Sequence, residues 1–346
     1  MPTRSVSAAT RRILPLAAAL LAVIALAIAG LRRPSETPTP VSTLRSYPEA
    51  IQYDGGAWYW IERTKNAGMK LMRADRAGTR VFAEALAHDR YAVENGTVAW
   101  VTWQGRAWSV QIQGSGQAAP RVLWSGPDEP KGLALGAGRA LWLRRVPPTV
   151  PGASPLAPLS ASLEVMAAPL PSGAAVPIAR LWEPDDGEVL GEHDGVPVVA
   201  AYRRAAPGSI SLYRIRAPGT PPVRVAAETG NSPALLTRSG ELLWLAPSRE
   251  GTFSYCLRRL AANDRAETVT DWLPVGGTLH ETERGVVYAD RAIASALWPI
   301  TRPDAFPEPL PLPEGYVALA AGGGEMLLAS LAPRSSDVSV YRMRLP

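Results

Sequence analysis

Short apolar runs, bounded by glycine, proline, asparagine or aspartate, recur along most of this chain. Runs of about four to eight residues with such boundaries are the signature of strands rather than of helices. One run keeps a constant opening, a glycine followed four residues later by tryptophan: Gly56 to Trp60 (GAWYW), Gly96 to Trp100 (GTVAW), Gly138 to Trp142 (GRALW) and Gly240 to Trp244 (GELLW). Three further copies keep the glycine and the apolar run without the tryptophan, from Gly195 (GVPVV), Gly285 (GVVYA) and Gly324 (GEMLL). The seven glycines stand 40, 42, 57, 45, 45 and 39 residues apart. Periods of roughly 40 to 50 residues belong to propellers and solenoids.

Each unit divides further. In the first, AIQYDGG (50–56) reads as an inner strand ending in a glycine turn, AWYWIER (57–63) as the second strand, and MKLMRADR (69–76) and TRVFAEAL (79–86) as the third and fourth. The second unit repeats this order with RYAVENG, TVAWVTW, AWSVQIQ and PRVLWSG, and the fifth with PALLTRSG, ELLWLAPS, FSYCLRRL and ETVTDWLP. One unit is then one four-stranded antiparallel blade. The last unit ends at Pro346 without a fourth strand, whereas VSTLRSYP (41–48) has strand character and no place in the first unit. Giving that segment to the last blade closes a ring and hides the edges of an open sheet. The expectation is an all-β, seven-bladed β-propeller of four-stranded antiparallel blades, preceded by one N-terminal membrane helix. The long 57-residue interval contains Pro147, Pro148, Pro151, Pro155 and Pro158. It reads as an inserted loop near 146–160, between the second and third strands of the third blade, because proline does not fit a sheet interior.

The membrane helix is residues 13–31, an uncharged apolar stretch flanked by Arg11, Arg12, Arg32 and Arg33. Nineteen residues at ~1.5 Å each span about 28 Å, close to the ~30 Å hydrocarbon core. A signal peptide cleaved after Ala29 fits the same residues, since Ala27 to Ala29 form an A-x-A site. The resulting organisation is a short cytoplasmic N-terminus (1–12), a transmembrane helix or signal anchor (13–31), a Pro-rich linker (32–40) and a propeller domain (41–346). Both readings put the large C-terminal part outside the cytoplasm, as a single-pass protein with its N-terminus inside or as a secreted or periplasmic one.

Composition narrows the partners. The formal net charge is +5 and arises from arginine, with only Lys65, Lys70 and Lys131 as lysines. The arginines are scattered over the repeats and form no run of the kind that binds nucleic acid, so nucleic acid is not an expected partner. Cys256, the single cysteine, alternates with Phe253, Tyr255 and Leu257 and reads as a small buried strand residue. The eleven tryptophans read as packing within and between blades, Trp124, Trp182 and Trp272 holding comparable late positions.

Function is sought on the loops. In a propeller the fourth-to-first and second-to-third connections share one face and the glycine turns occupy the other. The fourth-to-first connections contain His88, Asp89 and Arg90, then Asp128 and Glu129, then Asp185, Asp186 and Glu188, and further on Glu228 and Glu314. The second-to-third connections contain Arg106, Arg203, Arg204 and Arg249 among others. An acidic inner ring surrounded by a basic outer one follows, a pattern that orients a polar ligand or partner. Only three histidines occur, without HExxH, CxxC, GxSxG or a phosphate loop, and His193 falls on the opposite face from His88. No metal, cofactor or catalytic residue is therefore assigned, although Asp89, Asp128, Asp185 and Glu188 are the carboxylates that a glycan-acting enzyme would draw on.

Over roughly residues 41–346 the repeats resemble the broad class of bacterial extracytoplasmic β-propellers with WD40-like or TolB-like repeats, although the GH and WD dipeptides of standard WD40 blades are absent. The resemblance is architectural and implies a platform. The expected role is a noncatalytic, membrane-anchored binding or scaffold module for an envelope protein partner; the alternative is an extracytoplasmic glycan-acting hydrolase or lyase, with a glycan or small molecule as ligand.

Overall fold

The computed structural model describes residues 37–44, 46–64, 68–146, 162–182, 184, 186–202, 209–229, 234–248, 254–261, 265–274, 277–290, 297–300, 309–310, 312–330 and 337–345. The apolar segment 13–31 and most of the proline-rich insertion lie outside these residues. Among the described residues no helix is long and apolar enough to cross a membrane. The chain separates into two units, Met1–Pro38 and Thr39–Pro346, and the strands of the described residues belong to the second.

The strands follow the repeat. β1 (Thr39–Leu44) is succeeded by β2 (Glu49–Asp54), β3 (Ala57–Arg63), β4 (Met69–Asp75), β5 (Gly78–Glu94), β6 (Thr97–Gln104), β7 (Ala107–Gln113) and β8 (Arg121–Gly126). β2 to β8 form one seven-stranded sheet, because β5 serves both as fourth strand of the first unit and first strand of the second. The connection expected at His88, Asp89 and Arg90 is an irregular stretch inside one strand: the pairing of β5 with β6 passes from Leu86 directly to Tyr91, and no glycine or proline ends the strand within residues 79–95.

The next units are separate four-stranded sheets. They are β9 (Pro130–Gly136), β10 (Arg139–Val146), β11 (Ser162–Pro169) and β12 (Val176–Trp182); β13 (Asp186–His193), β14 (Val196–Tyr202), β15 (Ser209–Arg214) and β16 (Val223–Thr229); and β17 (Ala234–Leu236), β18 (Leu242–Pro247), β19 (Ser254–Leu260) and β20 (Ala266–Pro274). β10 and β11 pair as second and third strands, with the insertion between them. β21 (Thr278–Thr282), β22 (Gly285–Ala289) and β23 (Leu297–Ile300) form three strands among the described residues. The last sheet has the order β1, β26 (Val338–Arg344), β25 (Glu325–Ser330), β24 (Tyr316–Gly322). The N-terminal strand completes the C-terminal sheet as anticipated, but it begins two residues earlier: Thr39 and Pro40 pair with Arg342 and Tyr341 instead of belonging to the linker. β1 lies at the sheet edge, where a proline is tolerated.

The repeated glycine has a conformational cause. Asn95 and Gly96, Ala137 and Gly138, and Asp194 and Gly195 form two-residue turns in which both residues have positive φ, from 44° to 75°; Gly55 and Gly56 do the same at 56° and 81°. Such turns match the twist of an antiparallel pair, and glycine adopts that backbone at little cost. The tryptophan four residues on lies in the second strand, and Trp60, Trp142 and Trp244 are fully buried.

These second strands are apolar on both sides because both sides are covered. Trp58 and Trp60 pack with Leu319, Leu327 and Val340 of the last sheet, whereas Tyr59 and Ile61 pack with Val98 and Trp100 of the second unit. Every hydrophobic cluster likewise joins two successive units. Cys256 is buried in one of them. The core is therefore distributed between sheets. The first strands β2, β5, β9, β13, β17, β21 and β24 neighbour one another in that order, and β24 returns to β2.

Candidate binding face

Alternation of strand direction sorts the connections onto two faces. Turns between first and second and between third and fourth strands lie on one, here the turn face; the remaining connections lie on the other, the connection face.

On the connection face His88 stacks on Trp108, with ring centroids 4.9 Å apart and planes 15° from parallel. Its Nε2 lies 3.1 Å from Glu129 Oε1. Asp186, the first residue of β13, is buried, and its Oδ1 accepts from Lys131 Nζ at 2.8 Å and from the Gly187 backbone N–H at 3.0 Å. Glu188, two residues on, senses the positive charge of Arg90 on β5. Part of Glu188 reaches solvent, yet its carboxyl is hemmed in by protein. That loss of hydration raises its pKa above the usual carboxylate range; Arg90 opposes the shift and Asp186 adds to it. β9 approaches so closely here that a Cβ on Gly132, at φ 52°, would lie 2.2 Å from the Glu188 Cα.

Of the expected site residues, the fold thus gathers His88, Glu129, Asp186 and Glu188 onto the adjoining first strands β5, β9 and β13 or just before them. Asp128 is half-buried beside Glu129, and Arg106 is exposed in the tight turn between β6 and β7. The Asp89 and Glu228 side chains, and Asp185, Arg203, Arg204 and Arg249 altogether, lie outside the described residues. The ring as gathered is not purely acidic. Lys131 and Arg90 place a cation beside Asp186 and Glu188, and among the described residues no three His, Cys, Asp or Glu side chains come together as a metal site would require. Lys131 escaped the sequence reading, although a lysine within PKGLALG carried a usable signal: a charge in a strand buried on both sides requires a partner.

Aromatic exposure on this face was likewise missed. Trp103 is 45% exposed, Trp182 67% and Tyr47 53%; the tryptophans sit at the connection ends of β6 and β12, and Tyr47 lies in the link between β1 and β2. Trp103 leans on Trp108 at 4.7 Å between centroids, and the Arg180 guanidinium lies 4.1 Å from the Trp182 ring centre. Trp182 therefore does not pack between blades as its position suggested. Trp124 does, 6.0 Å from Trp142, and the Trp272 side chain lies outside the described residues.

The turn face is a belt of contacts between neighbouring units. Buried Asp54 accepts from the backbone N–H groups of Asn95 (3.2 Å) and Gly96 (2.7 Å) in the next unit's turn. Arg139 donates to both carboxylate oxygens of Glu192 at 2.7 and 2.8 Å. His193 lies against Gly240, and Glu281 accepts from the Arg238 backbone N–H. Acids lie near one another here: Glu94 is raised above the usual range first by burial, then by Asp54 and Glu192, with Arg238 opposing.

No family model matches the chain, and no curated protein does. Solved structures do. The β-propeller domain of the Trilobed protease from Pyrococcus furiosus is 10% identical over 86% of this chain and 95% of that one, with a TM-score of 0.58. Pyrococcus horikoshii acylaminoacyl peptidase is 8% identical over 87% of this chain, with a TM-score of 0.59, and the match spans about half of the peptidase, 52%. An oligogalacturonate lyase in complex with manganese is 11% identical over 84% of this chain and 86% of that one, with a TM-score of 0.57. At such identities the likeness shows the fold alone, and that fold is a β-propeller.

Proposed function

We propose that this chain is a noncatalytic, membrane-anchored extracytoplasmic β-propeller of seven blades that binds an envelope protein through its connection face. The observation that carries the reading is the composition of that face. Asp186 and Glu188 stand beside the cations Lys131 and Arg90 and Glu129 beside the His88 ring, while the rings of Trp103, Trp182 and Tyr47 are exposed. Exposed aromatic and arginine side chains are what protein interfaces are enriched in. The closed cycle of first strands supports the blade number, and the apolar stretch 13–31 with its flanking arginines supports the anchor. The N-terminus inside and the propeller outside is the orientation adopted; cleavage after Ala29 would instead release a periplasmic or secreted form.

One observation favours a second reading. A carboxyl raised above its ordinary range, as Glu188 is, keeps its proton to higher pH than an ordinary carboxylate, as a general acid requires, and an aromatic ledge suits a sugar ring. On that reading the protein is a glycan-acting hydrolase or lyase, as one of the structural neighbours is by name. Crosslinking and capture from membranes separates the two. Trp103→Ala with Trp182→Ala, or charge reversal at Arg203 and Arg204, should abolish a specific captured partner while Arg284→Ala on the turn face leaves it in place. Capture that ignores the first two changes refutes the binding face, and glycan cleavage that disappears with Glu188→Gln establishes the alternative.

A further inference from the structure

A second surface lies on the turn-face rim, away from the proposed partner site. A cleft of about 290 Å³ opens between the first and second units, lined by Arg73, Arg80, Val81, Phe82 and the Gly114 to Gln117 turn. Asp75 stands 3.2 Å from Arg73 and 3.8 Å from Arg80, so two guanidinium groups share one carboxylate. The Arg73 Nε is buried with no hydrogen-bond partner among the described residues. The rest of the Arg73 and Arg80 side chains, 30% and 57% exposed, is open to a phosphate oxygen in the cleft, since guanidinium forks match phosphate geometry.

The surroundings of the cleft are those of a lipid-facing patch. Val81, Val122, Val176 and Val223 are exposed by 38% to 59%, and all four stand on fourth strands, toward the ends that meet the turn face. Exposed Arg121 and Arg224 adjoin two of these valines in sequence. Isolated exposed valines mean little; a row of them on four successive units, set among arginines, presents apolar and cationic groups together. β1 also begins at this rim, as Thr39 pairs with Arg342 near the end of β26.

We propose that this rim docks on an anionic phospholipid surface, with the Arg73–Arg80 cleft receiving a headgroup phosphate. The inference rests on the membrane location proposed above but not on the partner site, which occupies the other face. The valines enter the interfacial layer and the arginines neutralise headgroups. Each cation near an anionic leaflet strengthens contact about fivefold, so reversing one charge weakens it roughly thirty-fold; salt screens it.

The test is hydrogen exchange on the full chain, reconstituted in phosphatidylcholine membranes with or without phosphatidylglycerol. Slower exchange at 79–82 and 113–117 is expected only with phosphatidylglycerol, and Arg80→Glu, at an exposed side chain, should remove it. A Val122→Asp variant should weaken it without altering far-UV circular dichroism. Equal exchange in both membranes, or protection that survives Arg80→Glu, overturns the proposal. Glycerol phosphate in solution reproducing the protection would overturn the membrane assignment in favour of a soluble phosphate ligand. Loss of partner capture by the Trp103 and Trp182 changes, with this protection intact, would leave the lipid contact standing by itself.

Discussion

Replacing Lys131 with methionine removes the cation that meets the buried Asp186 carboxylate between β9 and β13. The side chains are 5% and 9% exposed and meet at 2.8 Å, so neither can be rehydrated without opening the contact between these strands. Breaking a buried pair from one side costs about 3–5 kcal/mol. Each kcal/mol moves the midpoint of a 150–250-residue domain by about 2–4 °C, and the Thr39–Pro346 unit is larger. A fall of roughly 6–10 °C in Tm is expected. The double change Lys131→Met with Asp186→Leu removes both charges and the desolvation they require. Its remaining cost is mainly the Gly187 N–H deprived of its acceptor, about 1–3 kcal/mol. The two changes should therefore be non-additive by about 2 kcal/mol or more. Urea unfolding of the wild type, both single variants and the double variant closes the cycle. A Lys131→Met variant within 1 kcal/mol of wild type, or an additive double, would refute the claim that this pair is buried and mutually dependent.

Asp54→Ala removes the acceptor of two backbone N–H groups in the neighbouring turn. Hydrogen bonds to a charged group contribute about 1.5–3 kcal/mol, so a loss of roughly that size is expected in urea, with Asp54→Asn losing less. Glu188→Gln bears on pH. Because the folded carboxyl is raised, the wild type is favoured below the ordinary glutamate range and loses stability as pH climbs through the folded value. Melting curves from pH 4 to 8 should show a flatter profile and a higher neutral Tm for the glutamine variant; an unchanged slope contradicts the assignment. Trp182→Ala should cost under about 1 kcal/mol, since the ring is largely exposed and meets the Arg180 guanidinium. Trp142→Ala should cost about 3–5 kcal/mol, since that side chain is fully buried; paired thermal melts compare them.

The turn chemistry and the buried second strands were legible because both are local or periodic. A glycine at positive φ and an apolar run covered on both sides leave the same trace in each unit, and the N-terminal strand was placed in the last sheet because that unit lacked one. The site was less legible. His88, Glu129, Asp186 and Glu188 were picked as loop residues. The loop at His88 is instead strand, and Trp182 was assigned to packing when its ring stands in solvent. The Trp182 difference has a tertiary cause: which side of a strand a residue presents depends on the register with the neighbouring strand, and a one-residue change of register reverses it.

By itself, the amino-acid order determined the repeat, the antiparallel sheets, the closure and the division into two faces, since these depend on turn conformations and on period. The tertiary structure alone decided who stands beside whom. Lys131 and Asp186 are 55 residues apart, and Asp54 reaches a turn 41 residues away. These distances are close to one or more repeats, so the contacts arise only when units are stacked side by side. Charge complementarity between blades is a property of that stacking, and no single blade contains it.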